Sequence, residues 1–280
     1  MVYFRILPVS DINMTYITDW SELWHEKLEK TTFKGNGAAF WDHWAKSVSH
    51  TGSHGKYTEE LLNRMRLSSD FSVLDVGAGT GKLTLPLARR VQFVTALDQS
   101  VVMLDVIAQK AASQNIQNIR LLNLDWNKAI AGKDFQLHDI VLASRSLPSG
   151  NNIKQSIKLI NESAGQACYI TLKADSYDSL EADLCRLLDI DYHPLPEYTI
   201  LYNLIYSLGI YANVEIFKTN DRRTYSSLEE AYTQIVRSYP VNNGRVRQKI
   251  LDFLTERLQQ QDGSLKLEKK TDWALIWWEK

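Results

Sequence analysis

Residues 75–81 read Asp-Val-Gly-Ala-Gly-Thr-Gly, a carboxylate followed by glycines at 77, 79 and 81. Glycines at alternate positions permit a tight turn with no Cβ atoms in the way, so that backbone and ligand approach closely. A carboxylate just ahead of them suits a cationic group. Two related patterns fit less well. The dinucleotide fingerprint Gly-x-Gly-x-x-Gly would put its third glycine where Lys82 stands, and a P-loop needs a hydroxyl residue after its lysine, where this chain has Leu83. The turn therefore matches an amino acid head group better than a pyrophosphate.

Such a turn needs a strand to deliver it and a helix to follow. Phe71 to Val76 reads as a buried strand, after which Leu83, Leu87 and Val91 recur at helical spacing. Further strands are expected at Gln92 to Leu97, Ile119 to Leu124, Asp139 to Ala143 and Ala167 to Leu172, with helical patterns between them. One is capped by Ser100 and carries Leu104, Ile107 and Ala111; another carries Ile153, Ile157 and Ile160. Repeated βα units favour a doubly wound sheet. With strands at Val214 to Phe217 and Trp273 to Trp278, the expectation is a Rossmann-like α/β fold: a mostly parallel seven-stranded sheet with helices on both faces. Residues 1–55 read as an N-terminal helical extension and 56–280 as the core. A helical insertion at about 221–270, opened by the capping-box match Ser227 to Glu230, precedes the last strand. Extension and insertion together are expected to cap one edge of the sheet.

Ligands of open α/β sheets bind outside the carboxyl ends of the strands, where the strand order reverses. Asp98 closes the second strand about 20 positions beyond the glycines, where an acid can accept both ribose hydroxyls of an adenosine. Asp125-Trp126 closes the third strand. In this setting the segment Asp75 to Gly81 resembles the first motif of class I methyltransferases, and the resemblance covers about 55–219 and 271–280. It implies S-adenosylmethionine as cofactor and S-adenosylhomocysteine as product, with in-line methyl transfer to a nucleophile. It also implies cofactor contacts at Asp75, Gly77, Ala78, Gly79, Thr80, Gly81, Asp98, Gln99, Ser100, Asp125, Trp126 and Ala143, with Asp125 accepting from the adenine amino group and Trp126 flanking the ring.

The resemblance turns the loop Ser144-Arg145-Ser146 toward the reactive methyl. Arg145 stays protonated, so it cannot act as a base, but it can orient a carboxylate or phosphate. The Asn-Pro-Pro-Tyr type loop of many nitrogen methyltransferases is not there, which leaves the acceptor atom and any general base open. Trp41, Trp44 and Tyr57 complete the expected substrate pocket. Trp20/Trp24 and Trp41/Trp44 each fall on one helical face, and for such pairs core packing is the more common role. His50 and His54 sit among Gly52 and Gly55 without a completing ligand set, so no metal is expected; the stretch reads instead as a solvated hinge, with closure of Ser49 to Lys56 over bound cofactor as a hypothesis.

Composition narrows the partners. Lys and Arg number 32 against 33 Asp and Glu, so the net charge of −1 supplies no overall field for a polyanion and disfavours nucleic acid. The two cysteines, Cys168 and Cys185, fall in apolar and helical patterns, which suggests buried thiols and a cytoplasmic chain. No apolar run reaches membrane-span length. The expectation is a methyltransferase of a small molecule, with a protein acceptor or a non-catalytic cofactor-binding role as alternatives, and a nicotinamide oxidoreductase as a more distant one.

Overall fold

The computed structural model describes residues 18–32, 38–42, 55–147, 152–175, 177–236 and 244–280; Trp44, His50 and His54 lie outside them. The parallel strands are β1 (Ser72–Val76), β2 (Phe93–Asp98), β3 (Ile119–Asn123), β4 (His138–Ser144) and β5 (Ala164–Lys173). Two antiparallel strands, β6 (Asn213–Tyr225) and β8 (Ser264–Glu279), extend the sheet to the order β3-β2-β1-β4-β5-β8-β6, and a short β7 (Gln259–Gln261) pairs with β8 outside that path. The chain builds outward from β1 to β3, then returns to lay β4 on the other side of β1. That reversal opens the crevice in which ligands of such sheets bind.

The apolar runs of these strands are continuous because both faces are covered. Successive side chains point to opposite faces. Leu74, Val76, Val141, Ala143, Cys168 and Ile170 thus join one core cluster, and Val73, Ile140, Leu142, Ala167 and Tyr169 the other. The first cluster takes in Trp24 of α1 (Trp20–Lys30), Ile153 and Ile157 of the helix between β4 and β5, and Leu201 and Leu204 of the helix before β6. The second takes in Tyr57 and Leu61 of α2 (Gly55–Leu62) and Leu87 of α3 (Thr84–Ala88). Asp19 caps α1 by accepting from the backbone of Ser21 and Glu22 at 2.9 and 3.1 Å. Trp24 is completely buried and Trp20 packs against the same cluster, as core packing requires. Both cysteines are buried, and neither forms a disulfide.

The remaining helices are α4 (Val101–Ser113), α5 (Ile153–Ser163), α6 (Ser179–Leu187), α7 (Tyr198–Ser207), α8 (Leu228–Val236) and α9 (Gly244–Arg257). Residues 221–225 and 264–270, expected within a helical insertion, instead continue β6 and β8 as one ribbon with Tyr225 opposite Leu265. Residues 221–224 (Asp-Arg-Arg-Thr) carry no apolar alternation, whereas Leu265-Lys266-Leu267-Glu268 does alternate, a short strand signal that the expected helical insertion overlooks. Since β8 pairs with β5 only from Trp273 onward, opposite Lys173 at the end of β5, the ribbon runs on past the carboxyl ends of the parallel strands. There α8 and α9 build a satellite core with α6 and the ribbon through Leu184, Tyr225, Ala231, Ile250 and Leu254. Ser227 caps α8 by accepting from Glu230 N–H at 3.1 Å, while the Glu230 carboxylate reaches back to Ser226 N–H at 2.7 Å, one residue earlier than a capping box expects.

Candidate functional site

The glycines of the turn have three different physical duties. All are left-handed, with φ of +70° at Gly77, +56° at Gly79 and +78° at Gly81. The turn is strapped to β2, since Gly77 and Ala78 N–H donate to Leu97 O at 2.8 and 3.0 Å. A Cβ on Gly77 would stand 2.4 Å from Ser146 Cβ, so this glycine lets the loop after β4 approach β1. A Cβ on Gly81 would meet Ile107 Cγ1 at 2.9 Å, so that glycine seats α4. Around Gly79 nothing lies within 4 Å of the missing Cβ, and this is the glycine that leaves room on the cavity wall.

Three acids stand at neighbouring strand ends. Asp75 is 2% exposed and accepts a bond from Thr84 Oγ1 at 2.7 Å. Burial pushes its carboxyl up to about 6; the Thr84 bond opposes that rise and the charge of Asp98 adds to it. Asp98 accepts from Gly79 N–H at 2.8 Å and Ser100 N–H at 2.9 Å, so it holds the glycine turn and the start of α4 together. Burial raises its pKa, against those backbone bonds. Ser100 caps α4 through Met103 N–H at 3.1 Å and donates to Asp42 of the N-terminal segment. Asp125 opens a short 3-10 turn, accepting from Asn127 N–H and Nδ2 at 3.0 Å each.

These groups meet in a cavity of about 350 Å³ at the carboxyl ends of β1 to β4. Of the expected residues, Asp75, Gly77, Ala78, Gly79, Thr80, Asp98, Gln99, Asp125, Trp126, Ser144, Arg145, Ser146 and Trp41 line it. Gly81, Ser100 and Ala143 do not: the first packs on Ile107, the second is a buried cap, and Ala143 is completely buried in the core on the strand itself. Tyr57 does not line it either. Its ring lies 4.6 Å from the Arg145 guanidinium, and its hydroxyl bonds to Ser144 Oγ at 2.7 Å and Thr171 Oγ1 at 2.6 Å, so it supports the β4 loop from behind. Trp41 departs from the core-packing role expected of its pair. Trp126 stacks on Phe135 at 6.0 Å and its buried indole N–H has no hydrogen-bond partner among the described residues.

Sequence reasoning missed several participants. Thr84 follows the glycines within one helical turn and was readable only as a helix residue. Asn123 clamps the end of β2 by donating to Asp98 O at 3.1 Å and Gln99 O at 3.0 Å. Lys110 ties α4 to the turn through Thr80 O at 3.0 Å. Arg223 reaches the cavity from the ribbon, far away in sequence and with no local signal. Among the described residues no cluster of three or more His, Cys, Asp or Glu could hold a metal, and no helix is long and apolar enough to cross a membrane.

A family model for a methyltransferase domain matches residues 73–162. A Haemophilus influenzae protein described as uncharacterized is 26% identical over 268 residues, 94% of this chain and 97% of its own length. A probable cobalt-precorrin-6B C(15)-methyltransferase (decarboxylating) of Methanocaldococcus jannaschii is 30% identical over 89 residues, 29% of this chain and 49% of that protein. Other relatives that match about a third to a half of the chain are ribosomal RNA and release factor glutamine methyltransferases. The fold is similar to that of coclaurine N-methyltransferase bound to N-methylheliamine and S-adenosylhomocysteine, with a TM-score of 0.53, 14% identity, and 93% of this chain and 86% of that one covered. With the glycine turn, the three acids and the β1/β4 reversal in place, residues 73–162 form a methyltransferase domain on a Rossmann-like sheet.

Proposed function

We propose that the cavity at the ends of β1 to β4 holds S-adenosylmethionine and that the chain transfers its methyl to a small-molecule acceptor entering beside Arg145. The observation that carries this is one cavity lined at once by the glycine turn, all three acids and the β4 loop. The donor set fits the cofactor: a buried carboxylate for a cationic head group, open space at Gly79, a second carboxylate at the ribose position, and a third beside the unpartnered Trp126 N–H. When bound, the cofactor supplies an electrophilic methyl on a sulfonium. The chain's own contribution is alignment in a site screened from water. The described part of the wall offers guanidinium, ammonium, amide, hydroxyl and carboxylate groups, with no histidine or cysteine among them. Such a wall suits an acceptor that needs little proton removal, a neutral amine or thiolate, more than one that needs a strong base.

Trp41 lines the cavity from the N-terminal segment and Arg223 from the ribbon, and a cavity of about 350 Å³ has the size of a metabolite site. Because relatives that match 30%, 47% and 28% of the chain include RNA and protein methyltransferases, the balanced net charge is a weaker argument against nucleic acid than composition suggested. Calorimetric titration with S-adenosylmethionine and S-adenosylhomocysteine, followed by labelled-methyl transfer to metabolite, protein-extract and RNA panels, tests the proposal. Label appearing only in protein or RNA rejects the small-molecule acceptor, and the absence of cofactor binding rejects the whole reading. Asp98→Ala should weaken cofactor binding by about 1–3 kcal/mol through lost charged hydrogen bonds. Because Asp98 also holds Gly79 and Ser100, the urea midpoint of the ligand-free variant should fall as well. An unchanged affinity in the folded variant would remove Asp98 from the ribose role.

A further inference from the structure

The cavity is divided by charge. Asp75, Asp98 and Asp125 stand at the ends of β1, β2 and β3, with the cation Lys82 beside them after the glycine turn, whereas Arg145 and Arg223 enter from the β4 loop and the ribbon. Neither guanidinium has a carboxylate partner among the described residues, and both are exposed to the cavity. By contrast, Arg64, Arg247 and Arg257 each face a carboxylate at the surface.

Arg145 is held in place with care. Its backbone is left-handed, φ +58°, with its N–H donating to Thr171 O at 2.9 Å. Its guanidinium lies 4.6 Å from the Tyr57 ring and 5.4 Å from the Trp273 ring. Both rings are fixed, Tyr57 by Ser144 and Thr171, and Trp273 by its Nε1 donating to Thr219 Oγ1 at 2.9 Å. A guanidinium held over aromatic rings makes no hydrogen bonds to them and keeps its N–H groups for a ligand, whose carboxylate or phosphate can take two parallel bonds. Stacking alone would be explained by packing. Arg223 supplies the independent observation, because its position is set by the ribbon: it pairs opposite Leu267, two residues from Tyr225, which is 1% exposed in the satellite core. Strand alternation puts it on the same face as Phe217 and Thr219, the latter bonded to the Trp273 on which Arg145 rests.

We propose that Arg145 and Arg223 clamp an anionic group, a carboxylate or a phosphate, carried by the methyl acceptor; this names the acceptor class and rests on the methyltransferase reading above. Two guanidinium groups that line one cavity without carboxylate partners among the described residues offer their N–H groups to an anion carried into it. The acidic half then takes the cationic donor and the basic half the anionic acceptor, so charge sorts the two substrates. The sorting also selects against neutral and cationic acceptors, which would leave both guanidinium groups unpaired.

The test uses the full chain in calorimetry at low ionic strength. S-adenosylhomocysteine is titrated first, then inorganic phosphate and glutarate as separate anion probes, each with and without saturating S-adenosylhomocysteine. At least one anion should bind the wild-type chain. Arg223→Gln and Arg145→Gln should each weaken it at least fivefold, Arg223→Lys should retain part of it, and the double Gln variant should abolish it. S-adenosylhomocysteine affinity should stay within twofold in Arg223→Gln. The stronger of the two probes identifies the group. Failure of both anions to bind the wild-type chain, or undiminished binding to the double variant, overturns the clamp. A parallel fall of S-adenosylhomocysteine affinity in Arg223→Gln assigns the arginine to the donor's own carboxylate and overturns it too. If S-adenosylhomocysteine does not bind, the methyltransferase reading falls separately, and the anion titrations of the ligand-free chain still decide the clamp.

Discussion

Asp75→Asn should stabilise the ligand-free protein at neutral pH while weakening cofactor binding by about two orders of magnitude, the loss expected when a desolvated charge loses its partner. Asp75 is buried, its one hydrogen bond comes from Thr84, and its carboxyl is raised from 3.8 to about 6. Keeping it ionised at pH 7.5 without a cation costs about 3 kcal/mol. The folded state holds more protons than the unfolded one between about pH 4 and 6, so wild-type stability falls as pH rises through that window and carries the full penalty above it. The variant should therefore gain up to about 3 kcal/mol at pH 7.5, less the cost of any unbonded amide N–H, and little at pH 4. Urea denaturation at the two pH values measures both. Binding runs the other way. The cationic cofactor needs the ionised carboxylate, so wild-type affinity should drop about tenfold between pH 7.5 and 5, and the variant's weak affinity should be flat. Equal cofactor affinities in the two proteins would place the cationic group elsewhere.

Gly77→Ala should be the most damaging substitution in the turn. The new methyl would sit 2.4 Å from Ser146 Cβ, at a φ of +70° that L side chains rarely adopt. A Cβ is fixed to the backbone and cannot rotate away, so the β4 loop itself must move. Left-handed backbone costs about 1–2 kcal/mol and overpacking about 1–3 more. Stability should fall by roughly 3 kcal/mol, and cofactor affinity should fall with it because Ser146 and Gly77 both line the cavity. Gly79→Ala provides the contrast. With nothing within 4 Å, it should lose only the backbone cost of about 1–2 kcal/mol in stability, yet still weaken cofactor binding by narrowing the cavity. The double variant Gly77→Ala/Ser146→Gly, which removes the atom that is struck, should recover at least 1 kcal/mol of the loss, roughly the lower end of the overpacking cost. Additive effects in that cycle would refute the steric account.

What these experiments probe was unequally legible in the chain. The turn from Asp75 to Gly81 and the acids at 98 and 125 follow from nearest-neighbour chemistry: a buried strand, a glycine turn and a helix are each encoded within about a dozen residues. The sheet followed too, since strands covered on both faces show as apolar runs. Even so, the glycines looked equivalent, and only the contacts with Ser146, Ile107 and open space separate their duties. Tyr57 could be read as pocket lining because helical spacing says nothing of depth; in the fold it lies behind Arg145.

The ribbon was harder still. Residues 221–224 have no apolar period and Leu265/Leu267 only a short one, so residues 221–225 and 264–270 looked like part of a helical insertion. Local sequence was enough to identify the donor, because a turn and the strand that feeds it are short-range structures. The acceptor side depends on long-range register: antiparallel pairing of β6 with β8 carries Arg223 to a cavity whose other arginine lies 78 positions earlier in the chain. No local pattern encodes that meeting, since it exists only once two distant strands are paired and extended past the sheet.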